Sequence, residues 1–220
     1  SKYKAVGKSI HIARYQAMCE WFDETCGELL GYLDKKKLSD DTLVVFVTDN
    51  GWIQKEKTRG SDSKSKRSPF EGGTRTPVML RWPGKLKPAS HDTLVSSIDL
   101  APTILAAAGL EAAPAMQGIN LLDVCAAGGK SSRDKIFGEI FLHDVVGIDN
   151  PVPGLLYRWC ISGQWKLILP HRGSPVISRQ RQSRYRDPIW DKPQLFNLGA
   201  DPHEKNDLAA AEAGRVKALG

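Results

Sequence analysis

Apolar residues Ile10, Ile12, Ala13, Ala17, Met18, Trp21, Phe22, Leu29, Leu30 and Leu33 recur at three- and four-residue spacing. That periodicity predicts a long amphipathic helix over residues 9–37, and Lys35, Lys36 and Lys37 suit its negative C-terminal end. Leu38 to Asp41 reads as a turn. The run Thr42 to Thr48 is β-branched and apolar without alternation, which predicts a strand buried on both faces, as in a parallel sheet covered by helices. From Asp49 to Gly73 the chain is polar, basic and rich in Ser and Gly, so a loop of about 20 residues is expected, a length that usually serves function. Pro77 to Trp82 predicts a second strand closed by Pro83-Gly84. Asp99 to Gly109 predicts a helix with an acidic start, an early proline and a terminal glycine.

Beyond residue 130 the pattern changes to short strands at Ile136 to Phe141, Leu156 to Ile161 and Trp165 to Leu169. Ser162-Gly163-Gln164 joins the last two as a hairpin. An Arg-rich, Pro-containing stretch over 170–193 reads as a surface excursion. It is followed by a strand over Gln194 to Leu198 and a helix from about Asp207. The expected organisation is an α/β portion over 1–125 and a smaller α+β portion over 126–220.

Composition narrows the class. Of 220 residues, 41% are hydrophobic and 25% charged, which excludes a disordered tail or a collagen-like fibre. No stretch approaches the roughly 20 apolar residues of a membrane helix. Ser1 is not a Met and no apolar signal core follows it, so targeting information is expected to be absent or lost upstream. None of Cys19, Cys26, Cys125 and Cys160 forms a C-x-x-C pair, which argues against a zinc ribbon or redox motif. On a helix, Cys19 and Cys26 would lie ~10 Å apart, too far for a disulfide. Buried free thiols are the expectation.

The net charge of +6 is concentrated. One cluster holds Lys55, Lys57, Arg59, Lys64, Lys66 and Arg67, and another His171, Arg172, Arg179, Arg181, Arg184 and Arg186. Such clusters attract anions: nucleic acid, sulfated glycan, or a small sulfate or phosphate ester. A solvated basic surface is the plain alternative.

Two segments carry candidate chemistry. Asp49-Asn50-Gly51 ends the first strand, where ligands bind in open α/β sheets. Its carboxylate and amide oxygen are hard donors suited to Ca²⁺ or Mg²⁺, although the tripeptide alone fits an ordinary turn. The second is Lys66 with Ser68-Pro69-Phe70-Glu71-Gly72-Gly73-Thr74-Arg75-Thr76-Pro77. Its glycines permit close backbone approach, and Lys66 is a flexible point charge that can reach an oxyanion.

Taken with Arg81 to Gly84, Ser97 to Leu105, Gly163 to Ile168, Leu195 to Leu198, Asp201-Pro202-His203-Glu204 and Asn206 to Leu208, these segments resemble the C-terminal half of a type I sulfatase. That family belongs to the alkaline phosphatase superfamily. The upstream helix, with Ala17-Met18 and Trp21-Phe22-Asp23, also fits, so the resemblance covers nearly the whole chain. It implies an alkaline-phosphatase-like mixed or parallel sheet flanked by helices, then a smaller α+β subdomain. It also implies that Asp49 and Asn50 bind one divalent cation, Ca²⁺, and that Lys66 is the catalytic lysine contacting the sulfate. Glu71 and Arg75 are expected to shape the loop as an ion pair, with Lys64, Arg67 and Arg59 as rim charges. His143 is a further substrate-binding candidate, against the commoner role of a structural hydrogen-bonder. His11 and His203 are expected to be structural or exposed, with His203 at a capping turn.

The family's nucleophile is a formylglycine made within a C/S-x-P-x-R motif, and no such motif occurs here. Nor is the family's N-terminal Asp-Asp metal pair present; Asp40-Asp41 precedes a strand instead of following one. The resemblance therefore implies a fragment of a hydrolase of sulfate monoesters, acting on a sulfated carbohydrate or an aryl sulfate, with the formylglycine in a missing N-terminal part. Alone, the fragment is expected to be inactive. A periplasmic or secreted parent is expected, with no nucleic-acid partner and no membrane span. Two alternatives stand beside it. One is a phosphonate monoester or phosphodiester hydrolase of the same superfamily. The other is a non-catalytic polyanion-binding module on Arg172 to Arg186, where Tyr185 and Trp190 are few aromatics for base stacking.

Overall fold

Ser9 starts the predicted long helix: its side chain accepts the Ile12 N–H at 3.3 Å, and α1 runs Ile10–Lys35. These observations come from a computed structural model that describes residues 7, 9–142, 147–171 and 191–220. Along α1 only Ala13 is buried. Met18, Leu29 and Tyr32 are exposed, and Trp21 is 73% exposed. The chain then turns through Ser39–Asp41 into β1, Val44–Val47.

The expected parallel strand, buried on both faces, is corrected here. β1 pairs antiparallel with β2, Val78–Arg81, in register from Val44↔Arg81 to Val47↔Val78. Its side chains are half-buried and Val47 is exposed. An unbroken apolar run specifies an extended chain without specifying its partner's direction, and two-faced burial needs layers on both sides.

The chain divides into two compact units. The first comprises Ser1–Thr48, Gln54–Gly60 and Pro77–Arg133, and the second Asp49–Ile53, Ser61–Thr76 and Asp134–Gly220. In the first unit Arg81 reaches Asp34 at 3.1 Å while Ser39 Oγ donates to the same carboxylate. The Ser39 hydrogen bond, aided by Arg81, holds the Asp34 carboxyl below its ordinary range. Trp82 Nε1 donates to Asp40 O at 2.6 Å. Helices α3, Leu100–Ala107, and α4, Leu121–Ala126, meet around buried Asp99. Both terminal Arg133 guanidinium nitrogens donate to that carboxylate, at 2.5 and 2.7 Å, and the Ser96 and Ile119 N–H groups donate to it at 2.8 and 2.9 Å. A bidentate pair with two further donors satisfies an otherwise costly buried charge. Asn120 caps α4, an element absent from the sequence expectation because it is short and weakly periodic.

The second unit holds a four-stranded antiparallel sheet ordered β3-β4-β5-β6. Its strands are Lys135–Phe141, Leu155–Ser162, Trp165–Pro170 and Gln194–Asn197. The predicted hairpin closes at Gly163, whose φ of 56° suits a glycine turn. Period-two alternation gives the sheet two apolar faces. Tyr157, Ile168 and Phe196 pack with Phe70 on one. Cys160, Leu167 and Leu195 face Ala209, Val216 and Leu219 on the other.

Two further expectations change. The C-terminal helix, expected from about Asp207, is α5 over Ala213–Leu219, because turns occupy the residues before it. All four thiols are free, but only Cys160 is buried; Cys19 is exposed and Cys26 and Cys125 are half-buried. Phe22 of α1 packs against Phe46 of β1 and Ala13 is buried, but Cys19 lies on a part of the helix left in solvent. His143 and the arginine-rich stretch Arg172 to Arg186 lie outside the described residues.

Candidate functional site

Asp49, Asn50 and Lys66 all belong to the second unit. Asp49 follows β1 on an exposed bend, where its Oδ1 accepts the Asn50 N–H at 2.8 Å. Asn50 Nδ2 donates to Gly51 O at 3.0 Å, which fixes the amide group in its turn.

This turn is held against the segment after Lys66 by backbone contact. The Gly51 N–H donates to Gly73 O at 2.9 Å. A Cβ on Gly51 would fall 2.3 Å from Gly72 O, and one on Gly73 would fall 2.2 Å from Ser65 O. Only glycine allows main chains this close. A second tie runs from the Ile53 N–H to Ser65 Oγ, 2.6 Å. The expected loop is thus an ordered knot in which Asp62 N–H meets Ile53 O at 2.8 Å and the chain ends in a single helical turn, α2, Glu71–Thr74.

Gly73→Ala is expected to lower stability by about 1–3 kcal/mol, the range for forcing atoms into a packed site. The clashing oxygens of Ser65 and Ser68 are main-chain atoms that cannot rotate away. Urea unfolding compared with Gly214→Ala, where a new Cβ meets nothing within 4 Å, checks this.

Lys66 stands between the two serines and is exposed. Among the described residues no hydrogen bond or ion pair engages its ammonium group. Arg67 beside it takes φ 69°, a left-handed turn uncommon for a non-glycine residue. Ser68 Oγ is buried without a hydrogen-bond partner among the described residues.

The other basic residues of the motif behave differently. Lys64, expected at the rim, is half-buried: Nζ donates to the Glu204 carbonyl oxygen and lies 4.5 Å from the Phe70 ring centroid. The expected Glu71–Arg75 pair is long, 4.0 Å. A nearer cation occupies Glu71, because Lys166 Nζ, fully buried, donates to Glu71 Oε1 at 2.7 Å. Lys166 also donates to Thr74 Oγ1 at 3.3 Å and pairs with Glu204 Oε1 at 3.3 Å. Glu204 Oε2 accepts the Glu71 N–H at 2.6 Å. Burial pushes the Glu204 carboxyl above its ordinary value, with Lys166 opposing the shift.

Sequence reading assigned no role to Lys166 or Glu204, although both sit in the quoted motifs. A usable signal was present: Lys166 shares a strand face with Ile168 in an otherwise apolar strand, and a charge there requires a counter-charge.

Among the described residues no cluster of three or more His, Cys, Asp or Glu side chains is arranged to hold a metal ion. Asp49 and Asn50 fit Ca²⁺ in donor type, both being hard oxygen ligands, but supply two donors of the six to eight it takes.

The sulfatase family model matches residues 2–110. An N-acetylgalactosamine-6-O-sulfatase of Bacteroides thetaiotaomicron is 29% identical over 214 residues, covering 90% of this chain and 38% of its own length. Human arylsulfatase A is 30% identical over 200 residues, covering 87% and 38%. A solved structure of a protein in complex with its substrate D-glucosamine-2-N,6-O-disulfate aligns at TM-score 0.64 and 25% identity, covering 90% of this chain and 36% of that one. The chain thus spans about two fifths of the length of these relatives. Its mixed α/β architecture is that of alkaline-phosphatase-like sulfatases, and in sequence the chain is similar to members of the sulfatase family.

Proposed function

We propose that this chain is the C-terminal part of a sulfatase catalytic fold, contributing two metal ligands, Asp49 and Asn50, and the sulfate-contacting lysine, Lys66, to the hydrolysis of sulfate monoesters. The observation that carries the reading is the backbone knot. Gly51 is bonded to Gly73, and Ile53 to Ser65 beside Lys66, so the D-N-G turn and the lysine loop are one rigid construction.

The chemistry follows from charge. Breaking the S–O bond of a sulfate ester places negative charge on the sulfuryl oxygens and on the departing alcohol oxygen. Fixed cationic groups aimed at those oxygens lower the barrier. A bound Ca²⁺ supplies Lewis-acid polarisation of a sulfuryl oxygen. The Asp49 carboxylate and the Asn50 amide oxygen would hold the metal, with the remaining ligands coming from other parts of the polypeptide. Lys66, exposed and unengaged among the described residues, has the reach to orient the sulfate.

The nucleophile is read as lying outside these 220 residues, since no C/S-x-P-x-R motif occurs in them. The exposed apolar face of α1, with Met18, Trp21, Leu29 and Tyr32, supports further chain packing there. The substrate class is read as a sulfated carbohydrate, supported by the N-acetylgalactosamine-6-O-sulfatase relative and the disulfated glucosamine complex.

The test is substrate profiling of the full-length polypeptide with an aryl sulfate, a 6-O-sulfated N-acetylhexosamine and a phosphonate monoester. Sulfate-ester turnover that chelation abolishes and Ca²⁺ restores is expected, with none from residues 1–220 alone. Phosphonate or phosphodiester cleavage exceeding sulfate cleavage by orders of magnitude would replace the reading with its superfamily alternative.

A further inference from the structure

Three elements far apart in sequence deliver their charges to one buried point: Glu71 from α2, Lys166 from β5 and Glu204 from the turn after β6. Lys166 is 0% and Glu204 1% exposed. We propose that Glu71, Lys166 and Glu204 form an internal clamp that positions the Lys64–Gly73 loop, and with it Lys66, for the sulfate headgroup. This rests on the proposed role of Lys66. All three are positioning residues; none reaches the ester.

Connectivity favours the clamp over a simple stabilising pair. Glu204 grips the loop at two places: its carboxylate accepts the Glu71 N–H, and its backbone carbonyl accepts from Lys64 Nζ. These contacts bracket Lys66 on both sides in sequence. Glu204 itself adopts φ 52°, a conformation costly for a non-glycine residue. Lys166 then ties both carboxylates to the sheet, with Thr74 Oγ1 as a third contact. From Glu71 the chain passes to Gly73, whose carbonyl holds the D-N-G turn through Gly51. One rigid path therefore links β5 to both halves of the candidate site.

The cluster also assigns the lysines. Lys166 is committed to two carboxylates, and Lys64 to a carbonyl oxygen and the faces of Phe70 and Phe196. That leaves Lys66 of these three to meet the anion.

Stability alone does not favour such an arrangement. Burial raises the Glu204 carboxyl, so its contribution to stability is full below the ordinary carboxylate range and is lost as pH rises through the raised value. Above that raised value the ionised group costs free energy in its buried site. Well-packed neutral replacements of buried charged triads are often neutral or stabilising.

That property supplies the experiment. In the full-length polypeptide, the triple variant Glu71→Gln, Lys166→Met, Glu204→Gln removes every charge of the cluster at near-constant volume. Three quantities are compared with the wild type: thermal melting, amide hydrogen exchange over residues 64–74, and competitive inhibition of aryl-sulfate hydrolysis by inorganic sulfate. The expected result is near-wild-type melting, faster exchange confined to 64–74, and an inhibition constant for sulfate weakened at least ~10-fold, a transition of about 1.4 kcal/mol. Wild-type exchange and wild-type inhibition in a well-folded triple variant would overturn the clamp. Should the triple variant fail to fold, Glu204→Gln decides, since its amide oxygen retains an acceptor for the Glu71 N–H. Faster exchange at Ser68, Gly73 and Thr74, with β4 and β5 unchanged, supports the clamp, and unchanged exchange there removes it. A wild-type protein that neither turns over sulfate esters nor binds sulfate would sink the sulfatase reading instead, while the exchange data still judge the clamp.

Discussion

Lys166→Met alone is expected to lower the unfolding free energy by about 3–5 kcal/mol, the usual loss when one partner of a buried ion pair is removed. The substitution leaves Glu71 and Glu204, two carboxylates in a largely water-free site, facing one another without their common cation. Against a typical total of about 5–15 kcal/mol, that is a third or more of the stability of an ordinary domain. Shape is not the cause, since methionine fills much of the lysine stem. Urea unfolding near neutral pH measures the loss. Lowering the pH should recover part of it, because protonating either carboxylate removes the uncompensated charge and burial already favours protonation of Glu204. A Lys166→Met protein as stable as wild type at neutral pH would show that the three groups do not form the charged contacts described.

Lys66→Ala is the counterpart with the opposite signature. Lys66 is exposed and engages no partner among the described residues, so its removal is expected to leave melting unchanged to within the ±0.5 kcal/mol typical of surface changes. Activity of the full-length polypeptide should fall about 10²–10³-fold in kcat, the magnitude for deleting one group that stabilises developing negative charge. Inhibition by inorganic sulfate should weaken in parallel, because on the proposed reading the same ammonium group meets the free anion. Lys64→Ala is the informative control. Its ammonium binds the Glu204 carbonyl, so it should reduce stability as well as activity. Equal catalytic loss at Lys64 and none at Lys66 would reverse the assignment of the two lysines.

Much of the molecule was legible from local pattern. Three- and four-residue spacing located α1, and the β-branched run located β1. The Ser-Gly-Gln hairpin and the helix α3, which stops just before Gly109, followed from turn chemistry. These features are short-range: each depends on residues within a few positions of one another. The D-N-G tripeptide and the loop containing Lys66 drew notice because hard oxygen donors and a point charge are recognisable by residue type. Alone they read as a turn and a basic loop, and their expected roles came from the resemblance to sulfatases.

The misreadings share the opposite character. β1 was expected in a parallel sheet and is antiparallel to β2, since strand direction is decided by topology. Lys64 looked like a rim charge among other basic residues, yet it is half-buried against Phe70 and Phe196, the latter far along the chain. Arg75 was the natural partner for Glu71 at helical spacing, but Lys166, 95 positions away, lies closer.

By itself, then, the sequence settled which segments are helical or extended, which family motifs it carries, and which residue types could meet a cation and an anion. The tertiary structure alone decided which charges are consumed inside the fold and which remain outside it. An isolated lysine codon looks the same in either case. Burial and counter-charge distinguish them, and both arise only when strands and turns separated by up to 140 residues come together.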